Sequence, residues 1–214
     1  MTFLQAVAGH RIFTDFEDVD NGLMPPNWMS RVLQNQGPEI RSHYFRSSQT
    51  DSNNTNSRSM VAPVDSVWTD DQIIRARTRT VVNGLLSGIF LRSDPELMNC
   101  VLAIITTDDN QRGVYSMING VTTRRATYSP RYTTGETWAL KADGDEYSLI
   151  QNPNFDGSGG TVLTTWVDTN QLSLRGNTQR HGGFFLNSDR NVFGARNYSA
   201  GLDDYDFRDL IWSP

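Results

Sequence analysis

The chain has 214 residues, with 19 Lys and Arg against 24 Asp and Glu, and a net charge of −5. A domain of this size buries enough surface for a core without staples, and its acidic balance argues against a partner held by nucleic-acid phosphates, since that affinity comes from clustered Lys and Arg. The single Cys100 excludes an internal disulfide, the three histidines (His10, His43, His181) lie too far apart for zinc-ligand spacing, and no apolar run approaches the length of a membrane span.

The opening MTFLQAVAGHRIF has an apolar patch but lacks the basic segment and long apolar stretch of a secretory leader. RIFTDFEDV (11–19) predicts a strand, stopped by Asn21-Gly22 and Pro25-Pro26. IRSHYFR (40–46) predicts another. SSQTDSNNTNSRS (47–59) is almost wholly small and polar, and reads as an exposed loop with nothing to give a core. IIRARTRTVV (73–82) is the clearest strand: Ile74, Ala76, Thr78, Thr80 and Val82 share one face, and Arg75, Arg77 and Arg79 the other. Asn83-Gly84 supplies a turn before LLSGIFLRS (85–93).

CVLAIITT (100–107) predicts a deeply buried strand in which Cys100 serves as a small hydrophobe. RGVYSMI (112–118) and VTTRRATYS (121–129) flank Asn119-Gly120, a second hairpin signal, and Arg124-Arg125 form a further local cluster of positive charge. ETWALKA (136–142) and EYSLIQN (146–152) flank a tight DGD turn, and NPNFDGSGG (152–160) is a loop. TVLTTWV (161–167), GGFFLN (182–187) and NVFGARN (191–197) are further extended pieces. In the closing SAGLDDYDFRDLIW (199–212), Tyr205 and Phe207 fall on one face and Asp206 and Arg208 on the other. Parity fails after Asp209, where a bulge or a doubly covered strand would reconcile Leu210, Ile211 and Trp212.

Ten or more strands and no amphipathic helix make the chain all-β. Irregular loop lengths favour a two-sheet antiparallel sandwich over a barrel. A single domain over 1–214 is expected, with 1–11 as an assembly arm and 34–66 holding a long polar loop or insertion.

Candidate chemistry is sparse. Asp204 and Asp206, i and i+2 on a strand, are about 6.8 Å apart, a workable spacing for a pair of glycosidase carboxyls. The Glu-x-Asp-x-Glu array expected on an interior strand of jelly-roll glucanases is absent, as are a Gly-x-Ser-x-Gly elbow and a phosphate-binding loop. Sugar binding without hydrolysis needs an aromatic platform, for which Tyr115, Tyr128, Tyr132, Tyr147, Trp166 and Tyr198 are the candidates; Trp28, Trp138 and Trp212 read as core. The strip Arg75, Arg77, Arg79 and the tail around Trp212 are the candidate assembly contacts.

Several phrases in order, FTDFEDVDNGLMPPNW, DDQIIRARTRT with GLLSGIFLRSD, ALKADGDEYSLIQN, and GGFFLNSDRNVFGARNYSAGLDDYDFRDL, span residues 13–210. Together they resemble the concanavalin A-like, laminin-G-like jelly-roll superfamily, in the variants found in bacteriophage tail and other virion proteins. The resemblance implies an all-β, two-sheet antiparallel jelly-roll sandwich whose last strand returns beside the first, and a hairpin that displays Asp145 and Tyr147 near a sheet edge. It also implies a structural calcium where the two ends meet, with Asp15, Glu17, Asp18, Asp203, Asp204 and Asp206 as candidate ligands. The function so implied is that of a non-enzymatic accessory protein in a phage virion, decorating a capsid or forming a minor tail component. Its partners would be capsid or tail subunits or copies of itself. The alternative is a carbohydrate-binding module that attaches the virion to a bacterial envelope.

Overall fold

In the computed structural model, which describes residues 9–22, 24–48, 53–79 and 85–210, sixteen strands pair into two antiparallel sheets and none of these residues is helical. The first sheet runs β13 (Thr161–Val167), β12 (Glu146–Gln151), β11 (Thr137–Asp143), β6 (Gln72–Thr78), β16 (Leu202–Asp209), β4 (Tyr44–Ser47), β3 (Pro38–Arg41). The second runs β10 (Val121–Ala126), β9 (Gly113–Ile118), β8 (Cys100–Ile105), β7 (Ser87–Ser93), β14 (His181–Arg190), β5 (Thr55–Pro63), β2 (Trp28–Gln34), with β15 (Arg196–Tyr198) beside β14. Four consecutive strands of the second sheet and three of the first are simple meanders, as the turn signals predict. At the β9–β10 turn Asn119 and Gly120 take φ of 50° and 79°, the left-handed pair that a two-residue hairpin requires.

The two ends of the described chain meet as expected. β1 (Arg11–Thr14) pairs antiparallel with β16, from Arg11 opposite Arg208 to Thr14 opposite Tyr205. β4 shares that side of β16 through Leu202 and Phe45. Tyr205 and Phe207 are fully buried between the sheets, while Asp206 and Arg208 lie on the outer face. The bulge falls earlier than the sequence suggests: pairing with β6 slips between Asp203 and Asp206, where Asp204 adopts φ 51°. Ile211 and Trp212, like Thr80, Val82 and residues 1–8, lie outside the described residues.

An aromatic cluster joins the layers. Phe16 packs edge-on against Phe45 at 4.9 Å, Trp28 against Tyr205 at 5.1 Å, and Phe184 against Tyr205 at 5.4 Å. Such ring pairs contribute about 0.5–1.5 kcal/mol each beyond the area they bury.

The reading of 47–59 as one exposed loop needs correction at both ends, since Ser47 closes β4 and 55–59 belong to β5, while 49–52 lie outside the described residues. β3 and β4 belong to the first sheet, and β5 lies between β14 and β2 in the second. Ser57 and Ser59 are fully buried, beside Ser47 and Ser188, whose hydroxyls lie 3.3 Å apart. Serine is small enough to fill that end of the interior, so the core there is built from residues that a hydrophobic pattern misses.

Candidate functional site

The acids of β16 meet arginines. Asp203 accepts from Arg79 Nε at 2.5 Å, Asp204 lies 3.7 Å from Arg77, and Asp206 takes Arg11 Nε at 2.8 Å with Arg208 3.5 Å away. Strand pairing brings these groups together: β6 and β1 flank β16, with Asp203 opposite Arg77 and Arg11 opposite Arg208. Burial pushes the Asp203 carboxyl up, and bonds from the Asp204 N–H and Arg79 only partly offset that. Within the strip, Arg77 and Arg79 thus find acidic neighbours inside their own sheet. Arg75 also faces the ring of Phe155, its guanidinium carbon 5.6 Å from the centroid.

The other proposed calcium ligands, Asp15, Glu17 and Asp18, are exposed beyond β1, with Glu17 3.9 Å from Arg79. Among the described residues no three His, Cys, Asp or Glu side chains gather as a cation would require. The six acids are not gathered as one oxygen set: Asp203, Asp204 and Asp206 face arginines, and Asp15, Glu17 and Asp18 lie exposed beyond β1.

The candidate platform aromatics do not converge either. Tyr128 and Tyr132 are buried in the core, Tyr128 donating to Ile104 O at 2.9 Å and its phenol pushed up by burial. Tyr147 is fully buried rather than displayed. Its hydroxyl takes Arg92 Nη1 at 2.5 Å, and half-buried Trp166 stacks on it at 5.0 Å. Tyr198 is half-buried under Arg46, 4.2 Å from its ring centre. Tyr115, by contrast, lines a site able to receive a ligand.

That site is a groove of about 550 Å³ on the outer face of the second sheet. Its floor is Leu102 and Ile104 of β8, Met117 of β9 and Phe185 of β14; Arg31–Gln34 of β2, with Arg58 of β5, wall one side, and the β9–β10 turn the other. The floor belongs to a second apolar cluster with Met60, Phe90 and Cys100, separate from the main core. Tyr115 donates its hydroxyl to Gln111 O at 2.8 Å. Burial outweighs nearby Arg124 and raises its pKa, so the phenol is protonated at neutral pH. Sequence reasoning missed Arg31, Gln34 and Arg58 because β2 and β5 carry no clean period-two pattern. The available signal was CVLAIITT: a strand apolar on both faces implies an apolar surface on the outside of its sheet as well as the inside.

No protein-family model matches the chain, and no curated protein does. Solved structures do. The CBM2 module of the evolved Dit of Lactobacillus casei BL23 phage J-1 superposes with TM-score 0.60 at 11% identity, over 97% of this chain and 98% of that one. The fold is the concanavalin A-like jelly roll. The carbohydrate-binding module CBM66 from Bacillus subtilis follows at 0.57 and 12% identity, over 84% of this chain and 94% of that one. The calcium-bound exoplasmic domain of VIP36 gives 0.56 at 10%, over 96% and 91%. At such identities the likeness is one of architecture. On this jelly roll the outer face of the first sheet is roofed in part by the 152–160 loop, where Phe155 O accepts from Arg208 at 2.6 Å. The large groove lies on the second sheet.

Proposed function

We propose that this jelly roll is a non-enzymatic glycan-binding module whose second-sheet groove holds a saccharide. One observation carries the reading: the groove sets Tyr115 and an apolar floor among the amides of Gln34, Gln111 and Asn119, and its lining contains no Asp or Glu. Sugars bury their C–H faces against apolar and aromatic surface while their hydroxyls need fixed donors and acceptors, and the volume lies within the usual range of ligand sites. Glycosidic hydrolysis needs two carboxyl groups about 5–9.5 Å apart at the bond, and this lining supplies neither. The likeness to two carbohydrate-binding modules supports the same reading.

The test is retention on immobilised polysaccharides, followed by titration. Tyr115→Ala is expected to weaken binding about tenfold, the loss of one well-used ring, with cooperative unfolding preserved. Unchanged affinity in that variant would remove the groove from consideration.

The nearly full-length likeness to the phage Dit module supports a location on a virion, with the module linking a tail or capsid to a bacterial envelope. Immunogold labelling of intact particles tests the location: label on the particle surface is expected, and unlabelled particles would refute it.

A further inference from the structure

Within the glycan-binding reading, we infer that the groove takes an anionic saccharide, one bearing carboxylate or phosphate groups. On the first sheet and its loops several arginines are met by acid: Arg11 and Arg208 by Asp206, Arg79 by Asp203, Arg46 by Glu39, Arg180 by Asp70. Around the groove it is not. Arg31 donates Nη1 to the backbone oxygen of Glu96 at 2.9 Å, and Arg124 donates Nη1 to the backbone oxygen of Asn110 at 2.5 Å. A neutral carbonyl satisfies a donor and leaves the charge uncompensated. Among the described residues the Arg58 side chain, in the lining, meets no acid, and its Nε is buried without an acceptor.

The placement suits a charged polymer better than a single small anion. Arg31 and Arg58 come from adjacent strands, where register sets Arg31 opposite Met60 and Gln34 opposite Arg58. Arg124 stands opposite Tyr115 on β10. From β5 to β10 the sheet crosses five strand spacings, about 24 Å at roughly 4.8 Å each. Positive charge thus marks both sides of a groove whose lining holds no Asp or Glu, in a chain whose net charge is −5. Overall charge would repel a polyanion, so local arginines must hold it.

The experiment titrates the full chain with dextran, mannan and methyl-esterified polygalacturonate as neutral probes, polygalacturonate and phosphomannan as anionic ones, and a single-stranded oligonucleotide. At least one anionic saccharide is expected to bind about tenfold or more tightly than its neutral counterpart, to weaken at high salt, and to lose about tenfold in Arg31→Ala and Arg58→Ala. Which of the two binds separates carboxylate from phosphate. Melting curves of both variants confirm that they fold, and Arg58→Lys should recover part of the loss by restoring the charge. Equal binding of neutral and anionic probes, unaffected by the arginine variants, overturns the inference and leaves the glycan-binding reading intact. Retention of no saccharide overturns both, and preference for the oligonucleotide overturns the inference in favour of nucleic acid.

Discussion

At the scale of single residues, carboxylates in this protein hold structure together. Asp209 is fully buried and accepts from the N–H groups of His10, Trp68 and Thr69 and from the Thr69 hydroxyl, all within 2.7–3.2 Å. It ties the end of β16 to the segment before β1 and to the loop before β6. Asp168 does the same after β13. Burial favours its neutral form, but bonds from the Ser173 N–H and hydroxyl and the Leu172 N–H, with Arg175 nearby, outweigh burial and lower its pKa below 3.8. A depressed folded-state pKa means the carboxylate's contribution is complete above 3.8 and is lost as the pH falls through the folded value. Asp168→Asn is therefore expected to cost about 1–3 kcal/mol at neutral pH, read by urea denaturation. The gap to wild type should close in acid below 3.8. A gap that persisted unchanged through that window would contradict the assignment.

At the scale of elements, backbone approach decides what a strand tolerates. β14 is flanked by β7 and β5, and at Gly183 an added Cβ would sit 2.0 Å from Val61 O and 2.8 Å from Phe90 Cζ. Neither a central strand nor a packed ring gives way easily, so Gly183→Ala should destabilise by about 1–3 kcal/mol. At roughly 2–4 °C per kcal/mol for a chain of this size, a melt followed by circular dichroism would read the drop. An unchanged Tm would mean that the sheet has slack there. Close by, the β7–β14 pairing slips between His181 and Gly183, and Arg92 adopts φ 51°. From that position its buried side chain reaches Asp70 O at 2.8 Å, Tyr147 Oη at 2.5 Å and Gly144 O at 2.9 Å, clamping the β11–β12 hairpin to the loop before β6. The bulge re-aims a charged side chain into the structure, where backbone oxygens and a phenol satisfy it.

At the scale of the whole molecule, the two sheets differ on their outer faces, and the candidate site follows from that difference. Outside the first sheet, Arg11, Arg75 and Arg208 surround the Phe155 ring at 4.5, 5.6 and 5.7 Å. Ile73, Ala139 and Ile150 form a small apolar cluster there with Leu210 packed against it. The 152–160 loop and Leu210 thus cover part of that face. Outside the second sheet a larger apolar cluster is left with an open groove, rimmed by polar side chains. Exposed apolar surface with a polar rim is the usual mark of a binding site. The antiparallel pairing of β1 with β16 brings both ends of the described chain to the first sheet, away from this groove.

Much of the architecture was legible in the chain. Period-two alternation in IIRARTRT, the Asn119-Gly120 turn and the parity of Tyr205 and Phe207 against Asp206 and Arg208 are local properties, set by the pleat and by glycine's freedom at positive φ. They are enough to specify an all-extended protein of half-buried strands, whereas the return of the last strand beside the first came only from the family resemblance. Which strands neighbour which is a long-range matter, and only the tertiary structure decided it. Pairing β16 with β6 turned an acidic cluster and an arginine strip from two candidate sites into one internal charge match. Packing buried Ser47, Ser57, Ser59, Tyr128 and Tyr147 where residue type alone suggested surface or platform. The groove is the clearest case, because residues between 31 and 185 become neighbours only when seven strands are laid side by side.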